Sequence, residues 1–189
     1  MILYPDQSNE NRFLPLPATT GWNALRAGEI TPGSTVVLPG TGVTALQTLQ
    51  LAKAAGARVI ITSSSDEKLE RAKVLGADEG INYRATPDWQ DEVLRMTDGL
   101  GADLVLETTG TDTFSRSLKA VRHGGTVYAI GFVSGRDTPL DLLAVIGKAI
   151  RMRRLRPIDV PLAVAGSVGK GDWRLRIART DMSSLGSPG

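Results

Sequence analysis

Thr35-Val36-Val37-Leu38-Pro39-Gly40-Thr41-Gly42-Val43-Thr44-Ala45 decides the fold of this chain. Val36-Val37-Leu38 is a short unbroken apolar run, the pattern of a strand covered on both faces of a parallel sheet. It leads straight into a glycine-rich turn and then a helix, whose apolar positions fall at Ala45, Leu49 and Ala52. The turn reads G-x-G-x-x-A, with Gly40, Gly42 and Ala45 in the three positions. Each small residue answers a separate need. Gly40 permits the tight turn, Gly42 lets a pyrophosphate approach the backbone, and Ala45 lets helix and strand lie close. The helix start then aims free N–H groups and the positive end of its dipole at the phosphates. In this strand–turn–helix context the motif points to a dinucleotide held by Gly40, Thr41, Gly42, Val43 and Thr44; a purely structural turn is the alternative.

Outward from this unit the same alternation repeats. Further strands are expected at Arg58–Thr62, Gly80–Tyr83, Asp103–Glu107 and Thr126–Ile130, after a first at Thr35–Leu38. Helical spacing joins Trp89, Val93 and Met96, and again Phe114, Leu118 and Val121. Asp66-Glu67 opens another helix with the negative charge its dipole favours. Gly56, Gly76 and Gly124 stand where helices should stop. Repeated βα units with short links predict an α/β fold, a doubly wound parallel sheet with right-handed crossovers. Thr19–Ala27 reads as a short leading helix and Pro139–Ile150 as a last helix packed on the sheet. The expected organisation is an irregular segment 1–17, a nucleotide-binding domain 18–152, and an irregular tail 153–189, poorly ordered from about Pro157.

Composition closes off several classes. The chain has 189 residues, 41% hydrophobic and 22% charged, enough for a buried core. It contains no cysteine and one histidine, which excludes a disulfide framework, a cysteine nucleophile and a Cys/His zinc site. Neither a membrane-length apolar run nor a signal-peptide pattern is present, so a cytoplasmic protein is expected. Residues 1–150 hold 14 basic and 17 acidic side chains, whereas 151–189 hold 8 and 3. The overall charge of +2 therefore comes from the tail and is no nucleic-acid footprint. The four arginines among Arg151–Arg156 lack interleaved aromatics. Gly169-Lys170 lacks the first glycine and the Ser/Thr of a P-loop, where Val164 and Gly171 stand. No Tyr-x-x-x-Lys pair marks a short-chain reductase, and no Gly-x-Ser-x-Gly marks a serine hydrolase.

The end of the second strand bears on which dinucleotide is bound. An NAD site would usually place Asp or Glu there against the ribose hydroxyls. Here Thr62-Ser63-Ser64-Ser65 occupies the position, with Lys68 following. Hydroxyls at Ser63 and Ser64 beside Lys68 suit a 2′-phosphate, which a carboxylate would repel, so NADP(H) is favoured over NAD(H). The bland alternative is a loop and helix cap with a solvated lysine. The absence of an acid at Ser63 also argues against an S-adenosylmethionine-dependent methyltransferase, the rival on this fold.

Gly40-Thr41-Gly42, Leu49–Ala57, Ser65-Asp66-Glu67-Lys68, Leu75-Gly76-Ala77-Asp78 and Ile81-Asn82-Tyr83 together resemble the medium-chain dehydrogenase/reductase superfamily, in its zinc-type alcohol dehydrogenase and quinone oxidoreductase branch. The resemblance spans about Leu16–Met152. It implies a Rossmann domain and hydride transfer between NAD(P)H and an alcohol, carbonyl or quinone. It also implies that Tyr83 lies by the adenosine phosphate and that Thr108-Thr109-Gly110 borders the adenine side. Ile130, Gly131, Phe132 and Val133 would line the nicotinamide. Members of that family carry a catalytic domain with zinc ligands ahead of this region; only 15 residues precede the resemblance here. The expectation is thus a truncated family member: a cofactor domain with no zinc, no catalytic residues of its own, and a substrate only if a catalytic domain is supplied. A non-enzymatic NADP(H)-binding module or inactive remnant is the alternative. Asp103 and Glu107 read as edge or loop charges, and His123 as a turn residue. Arg153–Pro157 interrupts the sixth strand expected in the family. The family strand often reads Gly-Val-Tyr-Val, and if Arg154-Leu155-Arg156 were encoded CGT-CTA-CGT, reading one nucleotide later would begin Val-Tyr-Val; the expectation is a frame shift near Arg153. A sheet edge left unpaired there predicts homo-oligomers, with neither nucleic acid nor membrane as partner.

Overall fold

The computed structural model describes residues 15–135 and 137–154. The chain divides into 1–159 and 160–189, and every described residue belongs to the first unit. The expected frame shift, the order of the tail from Pro157 and the Gly166–Gly171 stretch lie wholly or mainly outside the described residues.

Twelve elements follow one another: α1 (Pro15–Ala27), β1 (Thr35–Pro39), α2 (Val43–Ala54), β2 (Arg58–Ser63), α3 (Asp66–Val74), β3 (Glu79–Asn82), α4 (Trp89–Met96), β4 (Ala102–Glu107), α5 (Phe114–Ala120), β5 (Val121–Ala129), α6 (Leu142–Gly147) and β6 (Arg151–Arg154). The sheet is parallel throughout in the order β3-β2-β1-β4-β5-β6. The doubly wound fold is therefore present, and the strand order reverses between β1 and β4. Val37 sits level with Ile60 on one side and with Val105 on the other. These three, with Val127, are fully buried and meet Trp89 and Val93 of α4 and Leu118 of α5. Alternate residues point to the opposite face, where α1 and α2 pack together and Leu104 meets the end of α1 at Gly28.

Five expectations need correction. α1 starts at Pro15, inside the segment read as irregular. Val121 is not on a helix, because α5 ends at Ala120 and Val121 is already extended. Gly124 does not stop that helix. It lies in a bulge of β5, where Ala102 pairs with Val121 but Leu104 pairs with Thr126. Asp103 clamps the bulge by accepting from Arg122 Nε at 2.6 Å and from the Thr35 amide at 2.7 Å; exposed His123 sits within it.

The last two corrections concern the far edge. The helix expected at Pro139–Ile150 is only α6, and it buries no side chain fully; Leu142, Leu143 and Ile146 face solvent while Val145 touches the core. The sheet is not left unpaired after β5. Arg151–Arg154 forms a sixth strand, with Thr126 level with Arg151 and Ala129 level with Arg154. An edge strand needs no apolar alternation when only its main chain is paired, which is why Arg-Met-Arg-Arg did not read as one. Arg151 Nη1 also reaches Glu29 at 2.9 Å, and that guanidinium holds the Glu29 carboxyl below its ordinary range.

Candidate functional site

The carboxyl ends of the strands, at the reversal of strand order, are where open α/β sheets take ligands. At the end of β1 the chain turns through Gly40, whose φ of +98° lies in the left-handed region that only glycine adopts readily. The Gly40 amide donates to Thr62 of β2, to its carbonyl at 3.1 Å and its hydroxyl at 3.2 Å. Gly42 precedes α2 with φ −74°, a conformation open to any residue, and no side chain caps the helix. A Cβ placed on Gly42 would meet nothing within 4 Å. The protein's own packing therefore does not demand glycine there. The bare backbone and uncapped first-turn amides form a cradle for an external anion.

The neighbouring strand ends are tied to this turn. Thr41 Oγ1 lies 3.3 Å from Ser63 Oγ, and Ser63 Oγ also accepts the Ser65 amide at 3.3 Å. Ser63 is thus buried and bonded within the chain. Ser64 is half-buried, while Lys68 is exposed and makes no ion pair among the described residues. Ser65 Oγ accepts the Lys68 amide at 3.4 Å, capping α3. The Tyr83 amide donates to the Ser63 carbonyl at 3.0 Å, and its side chain is largely exposed. Arg84 stands next to it, exposed, with its amide on Asn82 Oδ1. This second cation beyond Lys68 escaped the sequence reading; its position one residue past the third strand was the available signal.

Across the strand-order reversal, Thr108 Oγ1 donates to the Pro39 carbonyl at 3.2 Å, linking the ends of β4 and β1. The ends of β4 and β5 are pressed together: a Cβ on Gly131 would fall 2.0 Å from the Thr108 carbonyl oxygen. Ser134 donates to the Thr109 carbonyl through its amide at 2.8 Å and its hydroxyl at 3.0 Å. A shallow pocket of about 200 Å³ opens here, bounded by Gly110, Phe114, Gly131, Phe132 and Gly135 among others. Phe132 stands exposed beside it, and Val133, next in the chain, is exposed too.

One functional candidate was misread. Glu107 is not a loop charge: it is completely buried. Oε1 accepts the amides of Thr109 at 2.7 Å and Gly110 at 3.0 Å and the Thr113 hydroxyl at 2.7 Å; Oε2 accepts the Ser117 hydroxyl at 2.5 Å. Its two side-chain partners, Thr113 and Ser117, lie within ten residues of it in sequence, yet nothing in their spacing announces a shared carboxylate.

The fold and its glycine turn define an α/β domain of the Rossmann type. Residues 43–157 match the family model of zinc-binding dehydrogenases, and the chain belongs to that family. It is 43% identical over 151 residues to a zinc-type alcohol dehydrogenase-like protein of Schizosaccharomyces pombe, covering 78% of this chain and 44% of that one. Among solved structures, an NAD-dependent alcohol dehydrogenase shares 37% identity at a TM-score of 0.69, over 74% of this chain and 41% of its own. A quinone oxidoreductase of Escherichia coli in complex with NADPH shares 30% identity at a TM-score of 0.67, over 75% and 44%. The chain thus spans under half the length of these relatives. The family's zinc does not fit the residues present: the sequence has no cysteine and one histidine, and no three acidic or histidine side chains cluster for a metal among the described residues. No described helix is long and apolar enough to cross a membrane.

Proposed function

We propose that this chain binds NADP(H), in preference to NAD(H), across the ends of β1 and β4, as the cofactor-binding part of an oxidoreductase of the alcohol dehydrogenase and quinone reductase type. The observation that carries this is Gly42, a glycine its own fold does not require, at the uncapped start of α2. Gly40 would turn the chain at the pyrophosphate with its own amide held by Thr62, and Thr41, Gly42, Val43 and Thr44 would surround the phosphates with main-chain amides. Lys68, with Arg84 near Tyr83, offers positive charge at the end of β2 and β3, and no carboxylate stands at Ser63 or Ser64 to repel a 2′-phosphate. Thr108, Thr109 and the Ile130–Val133 segment would border the rest of the cofactor. The bound nicotinamide would supply the hydride.

A second reading is favoured by the pocket beside Phe132. Among the described residues that line it, none carries a titratable side chain, and the polar side chains there are the hydroxyls of Thr111 and Thr138. Hydride transfer to a carbonyl needs acceptor, nicotinamide and proton donor held together away from water. On this reading the chain alone binds cofactor without turnover, and an alcohol, carbonyl or quinone is used only where further protein forms the other wall.

Titration with NADPH and NADH, followed by nicotinamide fluorescence, tests both. Saturable binding at least about tenfold tighter for NADPH is expected, with Lys68→Glu removing most of that preference. A folded chain that binds neither cofactor overturns the proposal; equal affinities overturn the NADP(H) preference.

A further inference from the structure

We infer that Glu107 is a positioning residue for the cofactor site, acting through the loop that follows β4; the inference rests on the dinucleotide reading above. Its carboxylate is completely buried, and no ion pair among the described residues offsets its charge. Four donors take the place of a cation, and two of them are amides of the loop itself, Thr109 and Gly110. Those N–H groups therefore turn inward, and the loop is wound around the carboxylate. The other two donors are hydroxyls at the start of α5. Thr113, which stands at the helix start, uses its hydroxyl on Glu107 and does not cap the helix. Ser117 is fully buried and completes the set.

The consequence passes to the neighbouring loop. With the Gly110 N–H held inward, the Thr109 carbonyl of the same trans peptide points the opposite way, to Ser134, which donates to it twice. Gly110 and Gly135 then lie side by side, and Ser134 Oγ accepts the Asp112 amide at 3.0 Å. Both walls of the pocket at Gly110, Phe132 and Gly135 are thus set by one carboxylate that never reaches the pocket. An acceptor is what the arrangement requires, more than a charge. In Glu107→Gln, Oε1 still accepts from Thr109, Gly110 and Thr113, and the new amide donates to a rotated Ser117 hydroxyl. In Glu107→Ala, the two loop amides lose their buried acceptor.

The test compares NADPH affinity and melting temperature for the full chain, Glu107→Gln, Glu107→Ala and a control, Val93→Ala, which opens a cavity in the core under α4. Titrations are run where circular dichroism shows each protein folded. Glu107→Ala should weaken NADPH binding by about tenfold or more and Glu107→Gln by no more than about threefold. Val93→Ala should lower the melting temperature and leave affinity unchanged. If Glu107→Ala does not fold, Ser134→Ala replaces it, since it cuts only the hydroxyl bonds of the exit loops, and should weaken binding about threefold. Wild-type affinity in Glu107→Ala, or in Ser134→Ala where it stands in, overturns the inference. So does an equal loss in Val93→Ala. A wild-type chain that binds no dinucleotide defeats the underlying reading and this inference together, whereas binding that is indifferent to Glu107 defeats the inference alone.

Discussion

Gly40 and Gly42 stand two residues apart and are glycines for different reasons, which makes them separable by mutation. Gly40 holds a φ of +98° with open space where a side chain would project. Alanine there pays for backbone strain and nothing else, about 1–2 kcal/mol of stability. Gly42 has an ordinary φ and equally open surroundings. Alanine there gains from a stiffer unfolded chain and loses some of glycine's advantage at a helix start, for a net change below about 1 kcal/mol. Its methyl group nevertheless stands where a pyrophosphate would have to approach. Thermal melts and NADPH titrations on both variants should therefore give opposite patterns: Gly40→Ala loses stability, and Gly42→Ala keeps stability while losing about tenfold or more in affinity. Unchanged affinity in Gly42→Ala would assign the motif to the turn alone.

Strands and helices are held in register by a few polar clamps, and Asp78 is the plainest. It accepts Lys53 Nζ of α2 at 2.7 Å and the Val59 amide of β2 at 2.7 Å, at the entrance to β3. Burial pushes its carboxyl upward, but the Lys53 ammonium and the Val59 amide outweigh that and leave it below its ordinary value. The unfolded chain then binds the proton more readily, so the clamp's contribution is complete above the ordinary pKa and is lost as pH falls through the lowered one. Asp78→Asn should cost about 1–2 kcal/mol at pH 7, the pair being about one-third exposed, and the gap to wild type should close in denaturant melts below about pH 4. A gap independent of pH would refute the charge-based account. The elements that Asp78 joins were legible in the sequence, because β-branched runs such as Val59-Ile60-Ile61 alternate with helical spacing and glycine stops. The clamps were not: Asp78, Asp103 and Glu107 are short acidic interruptions whose hydrogen bonds go to partners distant in sequence or to main-chain amides that carry no sequence signal. β6 was hidden for the same reason, its pairing residing in the backbone and its side chains resembling a solvated arginine run. α6 misled in the other direction, since Leu142, Leu143 and Ile146 look like a core face and stand exposed.

At the scale of the molecule, the two edges of the sheet formed by the described residues are unlike. β3 is short and its neighbour α3 packs against it, whereas β6 places Arg151, Met152, Arg153 and Arg154 on the outermost strand among the described residues, the last three exposed. Exposed strand edges invite pairing with another chain, and charged side chains along them discourage it. Two copies of β6 meeting antiparallel would bring the arginines of one strand against those of the other. The Glu29 carboxylate, which lies in the field of Arg151 and Arg153, is already engaged by Arg151. Self-association through this edge, the expectation drawn from an unpaired β5, is therefore opposed by charge repulsion that salt screens over about 8–10 Å at physiological strength. Sedimentation velocity across a salt series should show association strengthening as ionic strength rises. Arg153→Glu should reverse that trend, because each strand would then carry a negative charge opposite its partner's Arg151 or Arg154, and screening would weaken the attraction. Association that weakens with salt in the unmodified chain would mean that the contact is made elsewhere, by opposite charges meeting on another surface of the domain.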